Sequence, residues 1–413
     1  MTYAEMEAQL FARARHGMKL GLDRMERALS ELGHPERRAP AFHVAGTNGK
    51  GSVCAFLDAA CRAAGFRTGL YTSPHLEHFS ERFQVDGVPA TEQALLDCYT
   101  ALRRRLPWAF EGDEALTFFE LVTLLAFQLF ADAGVDRMVI ETGLGGRLDA
   151  TNVLRPIVTC LTPIAFDHME FLGNTLASIA AEKAGILKPN VPAVVARQPP
   201  EARAVIESRA RELNSQLWHE GEEFLLPAHI ELGLRGAHQR SNAAVAFQAL
   251  TLAGVPPQAI RTGLAQARWP GRLETVQRSP EIVLDGAHNP AGATVLATAL
   301  SELYGGRRRH VVIGMLGDKD AASVVRLLAP LADTLLVTQP SSPRALPAAS
   351  LAALAGAHPQ VHVEPVATEA LQRAIKLASG DDLVVVCGSL YLVGELRAFL
   401  RGRTAGGPSE MLR

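Results

Sequence analysis

Short β-branched runs alternate with longer stretches of helical periodicity along most of the chain, which predicts an α/β protein with a largely parallel sheet. Residues 41–45, 68–71, 137–141, 157–161 and 191–196 read as strands of a first sheet. Residues 52–64, 117–133, 176–187 and 200–214 carry helical spacing between them. A second series begins beyond the turn-rich Trp269-Pro270-Gly271-Arg272. Its strands fall near 282–284, 310–313, 334–337 and 383–386, and its helices near 291–303, 321–331, 369–377 and 390–400. The pattern therefore predicts two domains, 1–270 and 271–413, with no internal repeat and a frayed carboxyl-terminal tail at Gly406-Gly407-Pro408. The longest apolar stretch, 115–134, is interrupted by Glu120 and Gln128, as suits a buried helix better than a membrane span.

Length supports the division, since 413 residues exceed what one hydrophobic core usually holds. With 48% hydrophobic and 20% charged residues, the composition is that of a globular protein, and a net charge of −2 gives no electrostatic case for nucleic acid or membrane. No apolar core with a cleavage site occupies the first twenty residues, so a cytoplasmic location is expected. Five cysteines, an odd number without CxxC spacing, suggest reduced core residues rather than zinc ligands or disulfides. Only six of the 41 basic residues are lysine, which makes each lysine a mild candidate for chemistry.

The strongest local signal is Gly46-Thr47-Asn48-Gly49-Lys50-Gly51-Ser52, between a predicted strand and a predicted helix. Glycines there can turn N–H groups toward phosphate oxygens, the helix N-terminus favours an anion, and Lys50 adds a point charge. The spacing departs from the common Walker pattern, and a glycine-rich turn capping a helix is the plainer alternative. Glu141, at the end of an apolar strand before Gly143-Leu144-Gly145-Gly146-Arg147, is placed to hold magnesium beside phosphates. The glycines that follow do not have GxGxxG spacing. Ser73 and His168 follow neighbouring predicted strands and complete a candidate metal set with Glu141. Lys183, next to Glu182, reads from pattern alone as half of a charged pair on a solvated helix face. Arg272 and Asp285 flank the domain junction, where a hinge arginine could close on a nucleotide. A turn arginine and a helix-capping Asn289 explain the same spacing.

Together these segments resemble the folylpolyglutamate synthase and dihydrofolate synthase family, a branch of the Mur ligases. The likeness runs from Gly21-Leu22-Asp23 through the phosphate loop, Ser73-Pro74-His75, Thr117-Phe118-Phe119-Glu120, Leu148-Asp149-Ala150-Thr151-Asn152, Asp167-His168 and Glu182-Lys183-Ala184-Gly185. It continues in Pro270-Gly271-Arg272, Asp285-Gly286-Ala287-His288-Asn289-Pro290 and Gly317-Asp318-Lys319. The resemblance implies an amino-terminal P-loop domain, a Rossmann-like carboxyl-terminal domain, and an ATP- and Mg2+-dependent ligase joining L-glutamate to folate or dihydropteroate. It implies that Thr47, Asn48, Gly49, Lys50, Gly51 and Ser52 hold the ATP phosphates, with Asn242, Arg272 and Asp285 contacting the nucleotide from the far side. Ser73, Glu141 and His168 would ligate magnesium, and Lys183 would be carboxylated to a carbamate, against the pattern reading. Lys50, Lys183 and His168 would serve catalysis. Lys19, Leu20 and Gly21, Thr117 to Glu120, and Leu148 to Ala150 would line the pterin site, and His288 would face the cleft. Lys19 stands where some bifunctional members carry an acidic residue, a departure that bears on dihydropteroate and not on folate. A monomer is the family expectation. The competing readings are a synthase acting on folates alone, a Mur-type ligase of a cell-wall precursor and a nucleotide-binding regulatory protein. The early phosphate-loop strand leaves no room for the extra domain of the cell-wall enzymes.

Overall fold

The computed structural model describes residues 1–14 and 21–402. Lys19 and Leu20 lie outside the described residues. The chain forms two compact units. The first comprises Met1–His75, Phe79–Gly233 and Gln239–Arg268, and the second Leu76–His78, Leu234–His238 and Trp269–Arg413.

The first unit is built on an eight-stranded sheet: β1 Ala41–Ala45, β2 Thr68–Tyr71, β3 Phe83–Val85, β4 Val88–Pro89, β5 Arg137–Glu141, β6 Val158–Leu161, β7 Ala193–Val195 and β8 Leu217–His219. Its order is β4-β3-β2-β5-β1-β6-β7-β8. All neighbours are parallel except β2–β3 and β3–β4, an antiparallel edge that sequence patterning did not separate from the loops. β1 is buried at every position, as a central parallel strand covered on both faces should be. The helix Phe118–Ala133 is apolar around most of its circumference. Its start is fixed by a capping box in which Thr117 and Glu120 exchange side-chain and backbone bonds. Arg24 holds the second oxygen of Glu120 at 2.9 Å.

The second unit contains β9 Glu274–Arg278, β10 Glu281–Leu284, β11 Arg309–Ile313, β12 Thr334–Gln339, β13 Val361–Val366 and β14 Leu383–Cys387, ordered β13-β12-β11-β14-β10-β9. Only β9–β10 is antiparallel. The two-residue period of a strand sorts the core: Leu383, Val385 and Cys387 face the helix Pro290–Leu303, and Val384 and Val386 face Ala367–Leu377 and Leu390–Leu400. Leu76 belongs to that second cluster. Glu77 is buried there in an ion pair with Arg397, whose Nε also donates to Glu274 at 2.9 Å. The five cysteines are buried free thiols. Among the described residues no helix is long and apolar enough to cross a membrane.

Candidate active site

Sheet order does the assembling. β2, β5, β1 and β6 are consecutive parallel neighbours, so the segments after them emerge side by side at one edge of the sheet. These segments carry Ser73, Glu141, the phosphate loop and His168. Ligands bind at the carboxyl ends of strands in such sheets because helix N-termini and loop amides gather there.

The phosphate loop turns at Gly46, with φ 149°, and Gly49, with φ 91°. A Cβ at Gly46 would overlap Thr162 Oγ1, and one at Gly49 would overlap Asn242 Oδ1. Neither position admits a side chain, so backbone can approach a ligand closely here. Thr47 and Asn48 do not direct their amides to the loop mouth, because both donate to Pro163 O, at 3.0 and 3.4 Å. Thr47 Oγ1 also exchanges bonds with Ala165. These two residues shape the loop. The donors suited to an anion are the first amides of the helix Lys50–Ala63, whose N-terminus no side chain caps. Ser52 is buried and accepts from Gln239 Nε2 at 3.3 Å, and Gln239 in turn accepts from Asn242 at 3.0 Å. Asn242 is thereby locked beside Gly49, a placement the sequence interval of almost two hundred residues does not reveal.

Lys50 Nζ donates to the carbonyls of Gly46 and Thr47, both at 3.2 Å, and lies 3.9 Å from Glu141 Oε1. Glu141 Oε2 accepts from Ser73 N at 3.3 Å. Lys183 is 5% exposed and donates to Gly46 O at 2.8 Å, so the pattern reading of a solvated pair is overturned. Its neighbour Glu182 points the other way, to Arg147 at 2.8 Å. Burial, reinforced by Lys50, pushes the Lys183 ammonium down to about 7, with Asp167 and Asp149 opposing. His168 caps the helix Met169–Leu172 with φ 51°, is exposed, and has Nε2 3.9 Å from Asp167.

Glu141, Ser73 and His168 offer the oxygen and imidazole donors suited to a hard divalent cation that completes its shell with phosphate and water. Among the described residues no three His, Cys, Asp or Glu side chains cluster as a metal site.

Of the expected pterin residues, Phe119 is the one that reaches the loop after β5. Phe119 packs where a Cβ on Gly143 would sit, and it lies 6.2 Å from the Tyr71 ring. Phe118 stacks on Phe11 at 5.4 Å with Arg82 over its ring. Leu148 is half-buried, Ala150 is buried, and Gly21 has φ 116°. Asp149 caps the turn Ala150–Val153, and its carboxylate accepts from the amides of Gly143, Leu144 and Thr151. A short 3-10 helix thus follows the Glu141 segment. Sequence reasoning missed Gln239 and His43; a histidine inside an otherwise apolar strand was the available signal for the second.

In the second unit, Asp285 accepts from Leu273 N at 3.0 Å and Ala287 N at 2.9 Å, and Arg272 Nη1 packs against Gly286. Asn289 caps the helix Pro290–Leu303 by accepting from Gly292 N at 2.8 Å. His288 Nδ1 lies 2.8 Å from Gly286 O.

Comparison with known proteins gives the same assignment. The family model "Mur ligase middle domain" matches residues 44–250, and "Mur ligase, glutamate ligase domain" matches 271–390. The dihydrofolate synthase/folylpolyglutamate synthase of Bacillus subtilis is 35% identical, covering 97% of this chain and 99% of that protein. Its Escherichia coli counterpart is 37% identical over 94% and 93%. The E. coli FolC structure in complex with DHPP and ADP superposes with a TM-score of 0.90 at 34% identity, over 97% and 98% of the two chains. The Yersinia pestis bifunctional enzyme complexed with AMPPNP and Mn ion gives 0.88 at 34% identity, over the same shares. A two-unit α/β fold, a phosphate loop backed by two lysines and full-length likeness at this level leave one assignment: the chain belongs to the dihydrofolate synthase/folylpolyglutamate synthase family of the Mur ligases.

Proposed function

We propose that this protein is an ATP-dependent ligase that joins the amine of L-glutamate to the carboxylate of a folate, and to dihydropteroate, through an acyl phosphate. The observation that carries the reading is the convergence of Lys50 and Lys183 on Gly46 O beside Glu141, at the uncapped start of a helix.

The acceptor carboxylate is a weak acyl donor. One of its oxygens attacks the γ-phosphorus of ATP, the bond to the bridging oxygen breaks, and ADP departs. Lys50 and the first amides of the helix Lys50–Ala63 stabilise the charge on the transferring oxygens. Magnesium, held by Ser73, Glu141 and His168, supplies further charge neutralisation when bound. The glutamate amine then attacks the acyl carbon, phosphate leaves, and the nitrogen loses a proton to give the amide. Holding amine and acyl phosphate together supplies much of the rate. Asn242, set against Gly49, adds to nucleotide recognition at the phosphate loop. Lys183, with a neutral amine populated near pH 7, adds to carbon dioxide with loss of a proton, and the carbamate replaces a buried cation by an anion. Gly21, Phe118, Phe119, Leu148 and Ala150 supply an apolar seat for the pteridine, which Thr117, Glu120 and Asp149 hold in shape.

The test is phosphate release from the purified protein with Mg-ATP and glutamate, comparing no acceptor, dihydropteroate and tetrahydrofolate, with mass spectrometry of the products. Acceptor-dependent release with a mass gain of one glutamate is the expected result. Since the Lacticaseibacillus casei relative, 35% identical, carries the single name folylpolyglutamate synthase, a gain on tetrahydrofolate alone would narrow the activity to that one. Release without any acceptor would overturn the ligase reading.

A further inference from the structure

Beneath the 143–151 loop runs a chain of buried hydrogen bonds that the reaction above does not use. His43 is fully buried in β1, with Nε2 2.8 Å from Thr151 Oγ1. Thr151 Oγ1 donates to Asp149 Oδ1 at 2.5 Å, and the same oxygen accepts from Thr151 N at 3.0 Å. Asp149 Oδ2 accepts from Gly143 N and Leu144 N, each at 2.9 Å. Four donors fill the four acceptor sites of the carboxylate.

This pattern fixes every proton. The single hydroxyl hydrogen of Thr151 is committed to Asp149, so His43 must donate from Nε2, and its Nδ1 is left as a bare acceptor. Among the described residues Nδ1 is indeed buried without a partner. The ring is neutral, because burial, aided by Lys188, pushes its imidazolium down to about 3. A buried acceptor without a donor costs about 1–3 kcal/mol. The strand Ala41–Ala45 otherwise holds only apolar residues, so a valine or leucine at 43 would avoid that cost. What the imidazole adds, and an apolar side chain would not, is the bond to Thr151.

We propose that His43 and Thr151 are positioning residues for the pteridine acceptor, holding Asp149 so that it closes the 143–151 loop and seats Gly143 against Phe119. The inference rests on the reading of Phe119 and Leu148 to Ala150 as the acceptor site. Neither His43 nor the Thr151 hydroxyl touches a reactant; both act through Asp149. The far end of the same turn is held separately, by Lys188 Nζ on Asn152 O at 2.6 Å and by Asn152 Nδ2 on the carbonyls of Arg147 and Gly185. Breaking the chain therefore loosens the end nearest Gly143 and leaves the other in place.

Three variants of the full chain test this. Thr151→Val removes the hydroxyl at nearly constant volume, His43→Leu removes the donor, and His43→Gln puts an amide N–H near the position of Nε2. Steady-state kinetics with Mg-ATP, glutamate and tetrahydrofolate or dihydropteroate are measured alongside melting temperatures. In Thr151→Val and His43→Leu the KM for the pteridine rises about tenfold, the loss of roughly one hydrogen bond, while the KM for ATP stays within about twofold. His43→Gln recovers most of the difference. Wild-type pteridine KM in both Thr151→Val and His43→Leu, with lowered melting temperatures, would show a merely structural chain and overturn the proposal. So would equal rises for ATP and pteridine that His43→Gln fails to rescue. A wild-type protein with no acceptor-dependent turnover overturns the site reading and this proposal with it, whereas normal wild-type turnover with unaltered variants overturns this proposal alone.

Discussion

Replacing Lys183 by methionine should stabilise the protein and inactivate it together. The side chain is 5% exposed, and its ammonium is held at about 7 instead of the 10.5 of a solvated lysine. The unfolded chain binds a proton at this site up to pH 10.5, whereas the folded chain releases it near 7. Folded stability therefore rises with pH between those values, and the penalty of the buried lysine is greatest below pH 7. The slope is about 1.4 kcal/mol per pH unit, so the penalty approaches about 5 kcal/mol below pH 7 and falls to about 3 at pH 8. Methionine has similar volume and no charge. It forfeits the bond to Gly46 O, at about 1 kcal/mol, which leaves a net gain of about 2 kcal/mol at pH 8 and a Tm higher by roughly 4–8 °C. The assay is thermal denaturation of wild type and Lys183→Met from pH 6 to pH 10 in carbon dioxide-free buffer, with ligation measured in bicarbonate. The Tm gap should narrow as pH rises from about 7, while the variant shows no ligation. A variant that melts below wild type at pH 6, or a gap that widens with pH, would refute the argument.

Other substitutions separate the remaining contributions. Glu182→Ala removes only a partly exposed pair with Arg147, so stability should change by less than about 1 kcal/mol and ligation by less than about twofold, whereas Lys183→Ala should lose ligation; equal losses would point to helix damage and sink the carbamate role. Gly49→Ala places a methyl on Asn242 at φ 91° and should raise the KM for ATP about tenfold or more, with the pteridine KM nearly unchanged; an unchanged ATP KM would count against the phosphate-loop geometry. Arg397→Met strands the buried Glu77 carboxylate and should destabilise the second unit by about 3–5 kcal/mol in urea denaturation, and a loss under about 1 kcal/mol would contradict the pairing.

Local pattern settled much of this protein. β1, β2 and β5 have the bounds that their mostly apolar runs predict, because a central parallel strand is covered on both faces. The Thr117–Glu120 capping box starts a helix by itself, since its partners are three residues apart. Glycines at 46 and 49 mark a loop that must turn where side chains cannot go. What local pattern could not give was anything set by packing across the chain. Lys183 reads as solvated beside Glu182, and only the approach of Gly46, 137 residues away, buries it. The family resemblance implies Asp149 in the lining of the pterin site, and the fold spends its oxygens on Gly143, Leu144 and Thr151. Leu76 to His78 read as the continuation of a first-domain loop, yet Leu76 packs in the second unit's core and Glu77 pairs with Arg397, 320 residues on. Secondary structure follows from the order of neighbours along the chain; burial, pairing and protonation depend on which distant segments the sheet order brings together.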